Sequence, residues 1–588
     1  MARKSNGVAT AAEKAAKSLG GIILFLMVVS GVINLLALTG SFYMMQIYDR
    51  AIPSQNVPTL LALSGLAIGL YLFQGLFETI RSQILVRVGA SMDRKLGPLA
   101  HKVTIDMPRH GFSPSEALER SRDVDTIRGF LSSQAPMALF DLPWMPVYLV
   151  FVYLLHPYLG ALVIGGAVVL AVLAIVAEIF TRRIASKAHR AMVLRNSLAD
   201  SNARNAEVLH AMGFTGRAVE RYQEANADHL DLMTGTSDVS GSLGAVSRAL
   251  RMMMQSATLG LGAYLVIQGE MSAGSIIAAS ITSSRALAPV DLAIGNWKNI
   301  VGARGAWARI KESLASLENA TKQMLLPIPK SDLKVEKLTV AAPTSGRVLL
   351  AEVSFDLKAG QALGVVGTSG GGKTTLVRAL TGIWSPLRGS VRLDDADLSQ
   401  WPASSVKSIV GYLPQDVSLI DGTIEENIAR LEKDADPRAI VEAAQAAGIH
   451  SMIVRMPDGY KTQVGAGGHV LSAGQRQRVG LARALYGNPF LVVMDEPNSN
   501  LDSEGEQALT AAIQGIKSRG GIAIVVAHRP SALAAADLVA VIQNGKLAAF
   551  GTKDEILSPN KARNVQPMRP PVAANEEQDL RMQPVRVG

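Results

Sequence analysis

Apolar residues run through the first half of the chain in long uncharged stretches separated by polar, basic ones. The first covers residues 18–48, the second residues 57–77, and DRAIPSQN links them. Either could cross a ~30 Å hydrocarbon core as a helix. The first exceeds the ~7–15 apolar residues of a signal-peptide core, and no small-residue cleavage site follows it cleanly, so it reads as a retained span. Residues 135–156 make a third span. After the tight turn PYLG, residues 159–177 make a fourth, residues 252–269 a fifth, and a sixth begins near Met271. Arg285 and Asp291 interrupt the sixth, where a charge faces a cavity or lies at the membrane edge. The long segments between the spans are polar. They keep a helical spacing of apolar residues, as in LADSNARNAEVLHAMGF, which predicts membrane helices continuing well into the cytoplasm.

Near residue 331 the pattern changes. Short β-rich runs (QALGVVG, FLVVMDE, IAIVVAH) alternate with helical segments, as in a parallel α/β domain. The last stretch, rich in Pro, Asn and Gln, reads as disordered. The expected division is a polar head (1–17), an α-helical membrane domain with six spans (18–325), an α/β nucleotide-binding domain (331–558) and a tail (559–588).

Composition sharpens this. Of 588 residues 48% are hydrophobic and 18% charged, and the mean hydropathy is +0.22, unusual for a soluble enzyme. The net charge of +9 sits in residues 1–330, with 31 Lys+Arg against 22 Asp+Glu; the remainder is balanced at 27 each. A nucleic-acid surface would cluster on the soluble part. The excess instead flanks the spans, so it follows the positive-inside rule and puts both termini and both long segments in the cytoplasm. The absence of cysteine excludes disulfides, thiolate metal sites, iron–sulfur clusters and cysteine catalysis.

The chemistry lies in the second half. GTSGGGKTT (residues 367–375) follows a strand-like run and precedes a helical one, the context a P-loop requires. Gly367, Thr368, Ser369, Gly370, Gly371 and Gly372 would close backbone N–H groups around phosphate oxygens, with Thr375 in the same stretch. Lys373 would reach the β/γ-phosphates, and the Thr374 hydroxyl would ligate Mg2+. FLVVMDE ends a strand in two carboxylates. Asp495 suits the Mg2+ shell, and Glu496 suits the general base that orients water. Gln415 could touch both Mg2+ and water, and His528, at the end of IAIVVAH, could hydrogen-bond a γ-phosphate.

The order GTSGGGKTT, Gln415, LSAGQ (471–475), MDEPNSNLD, His528 resembles an ATP-binding cassette (ABC) ATPase over residues 333–557. That resemblance implies that two cassettes pack head to tail. Ser472, Gly474 and Gln475 of the signature, with Asp502 of the D-loop, then cap the ATP held by the other copy. The helix dipole supports this, because donors at a helix start face anions. One departure is visible. The stretch after the first strand, LTVAAPTSGRV, has no aromatic residue on which adenine could stack.

Six spans fused ahead of the cassette resemble an exporter half-transporter. YMMQIYDRAIPS, FDLPWMPVYLVFVYLLHP, ARNAEVLHAMGF and SRALAPVDLAIGNWK are similar to stretches of the type I secretion permease/ATPases, in the PrtD-like branch that exports proteases and lipases. Each also fits a structural role: Pro143 and Pro146 a kink, Trp144 an interfacial anchor, Asp141 a partner for a nearby basic residue. The resemblance implies an ATP- and Mg2+-dependent homodimer in a Gram-negative inner membrane. It would secrete an unfolded protein with a C-terminal signal, through a periplasmic membrane-fusion adaptor and a TolC-like outer-membrane channel. No peptidase-like domain is expected before the first span. The alternatives are an exporter of peptide, lipid or drug, and a non-pumping ABC channel or regulator.

Overall fold

Long helices dominate the first half of the computed structural model, which describes residues 20–318, 326–401, 403–465, 467–527 and 530–557. The head, the tail and His528 lie outside them. The described residues divide into one compact unit within residues 1–321 and another within residues 322–588.

In the first unit six helices are long and apolar enough to cross a membrane. The chain runs through α1 (Gly20–Leu36) and α2 (Thr39–Gln46), a π-helical turn at Ile47–Ala51 and a helical turn to Ser54. The link to the second span is therefore shorter than the eight residues DRAIPSQN suggest. It reverses at Gln55, in left-handed backbone, and Asn56 caps α3 (Val57–Asp106) by accepting the Thr59 N–H at 3.1 Å.

The 50 residues of α3 would measure ~75 Å at 1.5 Å per residue, far more than a bilayer core. α4 (Pro114–Leu131) follows, started by a capping box between Ser113 and Glu116. The third span is broken: α5 (Ala135–Asp141), a 3-10 turn at Leu142–Trp144, then α6 (Met145–Leu155). α7 (Pro157–Arg204) and α8 (Thr215–Ile267) have 48 and 53 residues. The polar stretches 78–106 and 178–204 are thus the far halves of membrane helices, as their periodicity implies. α9 (Ala273–Gly295) is the sixth span and α10 (Trp297–Glu318) follows it. One of the two charges inside α9 has a partner: Asp291 lies 3.4 Å from Arg251 of α8.

A buried polar cluster joins the first three spans. Arg81 of α3, 5% exposed, donates to Asp141 of α5 at 2.6 Å and to Ser30 of α1 at 3.0 Å. Asn34 donates to the same Asp141 oxygen at 2.9 Å and accepts from the Tyr148 hydroxyl at 2.9 Å. Asp141 therefore has the basic partner expected of it, supplied by a residue that reads in the sequence as part of a polar segment. Trp144 packs against the first span. Its indole N–H donates to Met27 O at 3.2 Å, and a Cβ at Gly31 would come within 2.4 Å of its ring. That glycine lets α1 and the 3-10 turn touch.

Near the other end of the first span, Asp49 caps the sixth. It accepts from Gly274 N at 2.9 Å and Ser272 Oγ at 2.7 Å, satisfying donors that a helix start leaves open.

The second unit holds two sheets. The first is antiparallel, in the order β2 (Val348–Lys358), β1 (Asp332–Ala341), β4 (Arg388–Leu393), β5 (Ala396–Asp397). The second runs β10 (Lys546–Thr552), β9 (Leu538–Gln543), β3 (Ala362–Gly367), β8 (Ile522–Val526), β7 (Leu491–Asp495), β6 (Val410–Leu413). Only the β9–β10 pairing in it is antiparallel. β7 and β8 are buried at every residue, as their unbroken apolar runs require.

Breaking the Arg81–Asp141 pair leaves a charge stranded in a dry interior. Arg81→Met should lower stability by about 3 kcal/mol, and adding Asp141→Leu should recover much of that loss. Thermal unfolding in detergent measures both. A double variant that loses the full sum of the two singles would mean the residues are not coupled.

Candidate nucleotide site

Parallel order decides where the chemistry gathers. β3, β6, β7 and β8 all run the same way, so the segments leaving their C-terminal ends share one edge of the sheet. Those segments carry the glycine loop, Gln415, and Asp495 with Glu496. In open α/β sheets this edge is where ligands bind.

The loop leaves β3 at Gly367 and enters α11 (Lys373–Leu380). Glycine is required where the loop closes on itself. A Cβ at Gly371 would lie 2.9 Å from Thr368 O. Gly372 has φ 105°, and a Cβ there would meet Leu349 O at 3.1 Å. Lys373 is buried at the start of α11, and its ammonium donates to Gly367 O at 2.9 Å and Thr368 O at 2.8 Å. Burial pulls its pKa below the usual lysine value, while Glu496 and Asp495 push it back.

Asp495 ends β7 with 1% of its surface exposed. Neither carboxylate oxygen has a hydrogen-bond partner. Burial pushes its carboxyl above the ordinary range. The Thr374 hydroxyl nearby pulls it down, and the Glu496 carboxylate pushes it further up. Glu496 sits in left-handed backbone at φ 51°, held by its N–H bond to Val526 O at 3.0 Å. Such backbone costs ~1–3 kcal/mol in a non-glycine residue and tends to mark active sites. The Gln415 amide donates to Glu496 at 3.1 Å. Gln415, Glu496, Asp495, Thr374 and Lys373 thus converge. Thr375 is buried behind them, and Thr368, Ser369 and Gly370 are exposed at the loop tip.

The signature lies elsewhere. Ser472 is the N-cap of α12 (Ala473–Leu485) and forms a reciprocal capping box with Gln475. Ser472, Gly474, Gln475 and Asp502 line one polar pocket of about 620 Å3, together with Arg455, Arg478 and Glu504. No residue of the 367–375 loop lines it. Asp502 caps α13 (Ser503–Ser518) through Gly505 N at 2.8 Å and pairs with Arg478. Arg478 and Gln477 escape a reading of motifs alone. Gln477 is buried and donates to Pro497 O at 3.1 Å. A polar residue on the inner face of a predicted helix is the signal that could have found it.

The residues fit the groups that the motifs imply. The glycine-lined loop can accept phosphate oxygens. The two orphaned Asp495 oxygens beside the Thr374 hydroxyl form a hard-oxygen set suited to Mg2+.

A membrane unit with six spans, joined to an α/β unit with a glycine loop, two carboxylates and a separate capped signature helix, defines an ABC transporter. The family described as ABC transporter matches residues 350–499, and that described as ABC transporter transmembrane region matches residues 21–287. The type I secretion system ATP-binding protein PrsD of Rhizobium meliloti (strain 1021) is 50% identical over 90% of this chain and 91% of its own. The toxin RTX-I translocation ATP-binding protein of Actinobacillus pleuropneumoniae is 27% identical over 90% of this chain and 76% of its own. A bacterial Atm1-family ABC exporter solved with ATP bound superposes with a TM-score of 0.80 at 22% identity, covering 91% of this chain and 96% of that one; it shares the fold. The chain belongs to the ABC transporter family, among the type I secretion ATP-binding proteins. It is a multi-pass membrane protein and an ATPase.

Because burial outweighs the Thr374 hydroxyl beside Asp495, its ionised form costs stability at neutral pH. Asp495→Asn should raise the melting temperature of the nucleotide-free protein at pH 7 while abolishing ATP hydrolysis. The gain should fade as pH falls from the raised folded-state value to the ordinary carboxylate range, below which the wild-type group is neutral in both states. Melting curves against pH check this; a lower melting temperature for the variant at pH 7 would contradict it.

Proposed function

We propose that this protein is the ATP-driven exporter of a type I secretion system, moving an unfolded protein out through a Gram-negative inner membrane. The cargo class rests on what its relatives' names say of them. The mechanism rests on one observation: the pocket that Ser472, Gly474 and Gln475 of the signature line is lined by no residue of the loop 367–375. Two copies packed head to tail bring them together at two composite sites, so the working unit is a homodimer. A periplasmic adaptor and an outer-membrane channel would continue the path.

At each site the glycine loop and Lys373 bind the triphosphate. Thr374 and Asp495, with Gln415, would hold Mg2+, which neutralises phosphate charge when bound. Glu496, oriented by Gln415, accepts the proton of the attacking water, and His528 contacts the γ-phosphate. Ser472, Gly474 and Gln475 of the other copy donate from the start of α12, with Asp502 beside them. ATP closes the pair because the cap forms only in the closed state, and hydrolysis removes that preference. A complete reversal of the two populations needs ~5.5 kcal/mol of differential binding.

Glu496→Gln should retain ATP affinity, lose turnover by more than ~100-fold and accumulate as an ATP-bound dimer. Normal hydrolysis in that variant would remove Glu496 from the mechanism. Ser472→Arg should leave binding to each glycine loop nearly intact while abolishing closure and hydrolysis, read by light scattering and phosphate release. Wild-type turnover would overturn the head-to-tail arrangement. Proteoliposomes offered a candidate secreted protein or a lipid analogue separate the cargo classes.

A further inference from the structure

One cavity of the membrane unit is lined by charge of a single sign. It measures about 380 Å3 and is walled by α4, α7, α8 and α10. Its lining residues fall within 126–133, 185–192, 229–236 and 298–302, all outside the apolar stretches of the six spans. It therefore meets water rather than lipid tails. Thr126, Gly129 and Asn299 are exposed at its rim, whereas Ala188, His229 and Thr236 are buried in it.

No Asp or Glu lines the cavity, but Lys298, His189 and His229 do. The Lys298 ammonium has only weak company, Met233 Sδ at 3.4 Å and Ser237 Oγ at 3.5 Å. A thioether is a poor acceptor, and among the described residues no carboxylate pairs with this lysine. The acids nearby are already engaged. Glu119 and Asp123 lie within electrostatic reach of His189, yet Glu119 pairs with Arg122 at 2.6 Å, and Asp123 pairs with Arg120 at 3.1 Å and with Arg309. His229 donates from Nδ1 to Ala188 O at 3.3 Å, because a carbonyl can only accept, so Nε2 is the ring nitrogen left for the cavity. Much of the remaining wall is apolar, with Phe130, Ala185 and Met192. Cationic and polar donors without an acid, set among apolar side chains, suit an anion that carries an apolar body. The volume is near the lower end of the ~300–1,000 Å3 of ligand pockets. It fits a small molecule or a side chain and excludes a whole lipid.

We infer that this cavity binds a small amphipathic carboxylate, with Lys298 as its counter-ion and Phe130 and Met192 against its apolar part. The carboxylate is either a free organic acid or an acidic side chain of a polypeptide, and only the second source rests on the export reading above. The probe is phenylbutyrate, titrated by calorimetry into the full-length protein in nanodiscs against empty nanodiscs. It should bind, and its neutral amide and its amine analogue should bind at least about tenfold more weakly, the loss of one charge-assisted contact. Lys298→Met should remove that discrimination, and Lys298→Arg should keep it. Phe130→Ala should weaken acid and amide alike. A doubly blocked peptide with one aspartate beside one phenylalanine, and its asparagine counterpart, identify the source. Displacement of phenylbutyrate by the aspartate peptide alone assigns the site to a polypeptide; displacement by neither assigns it to a free acid. No phenylbutyrate binding up to about 10 mM, or equal affinity for acid and amide, overturns the site. So does displacement by both peptides equally, or a Lys298→Met variant that binds the acid unchanged. Ligand-free melting curves show whether each variant is folded, and the acid–amide comparison on the wild-type protein decides even where Lys298→Met is not. A failure of protein transport in proteoliposomes removes the export reading and leaves that comparison untouched.

Discussion

A buried carboxylate whose lost hydration is not made good is unstable unless something binds it, and Asp495 is such a group. Around it the ATPase unit is arranged to keep that state available. β7 is buried along its whole length and ends at Asp495, so the carboxylate cannot swing into water. Lys373, buried in the glycine loop, spends its donors on Gly367 and Thr368 carbonyls instead of on the acid. Thr374 presents a hydroxyl beside it. Glu496 is turned by left-handed backbone toward Gln415. The buried acid and the left-handed backbone at Glu496 cost stability in the empty protein. Together they amount to preorganised charge, which does not have to be rearranged when a phosphoryl group and its cation arrive.

The parallel sheet makes this possible. Residues scattered from 367 to 496 meet because four parallel strands deliver their ends to one edge. That much was legible in the sequence, since an apolar run ending in a glycine loop or a carboxylate pair already specifies a strand end. The polar capping box at Ser472 and Gln475 was legible too, as a helix start. The length of the membrane helices was readable from apolar spacing that persists through polar stretches. The π-helical turn at Ile47–Ala51 and the continuation to Ser54 were not, because DRAIPSQN has the composition of a link.

The membrane unit shows where local pattern fails. Arg81 lies four residues past an uncharged run and is followed by other basic residues, so it looks like an ordinary flanking charge. Its role depends on Asp141, sixty residues away, and on Asn34 and Ser30 in another helix. Trp144 similarly depends on Gly31, whose missing side chain makes room for the indole. Long-range pairing between spans carries no periodicity. A charge within a span only says that some partner must exist.

The signature helix adds a further constraint. Gln477 is tied to Pro497 O, Arg478 is paired with Asp502, and a Cβ on Gly474 would lie only 2.8 Å from Asn500 O. The segment from Glu496 to Asp502 is thereby fixed to α12 near its start, middle and end. Glu496 stands near Lys373 of its own loop, whereas Ser472 lines a pocket that no residue of that loop lines. In a head-to-tail pair, one stiff piece of each chain would carry the base for one site and the cap for the other. A shift of α12 that seats a cap therefore also moves the backbone at Glu496. The two composite sites then could not be adjusted independently, even though each retains a full set of residues.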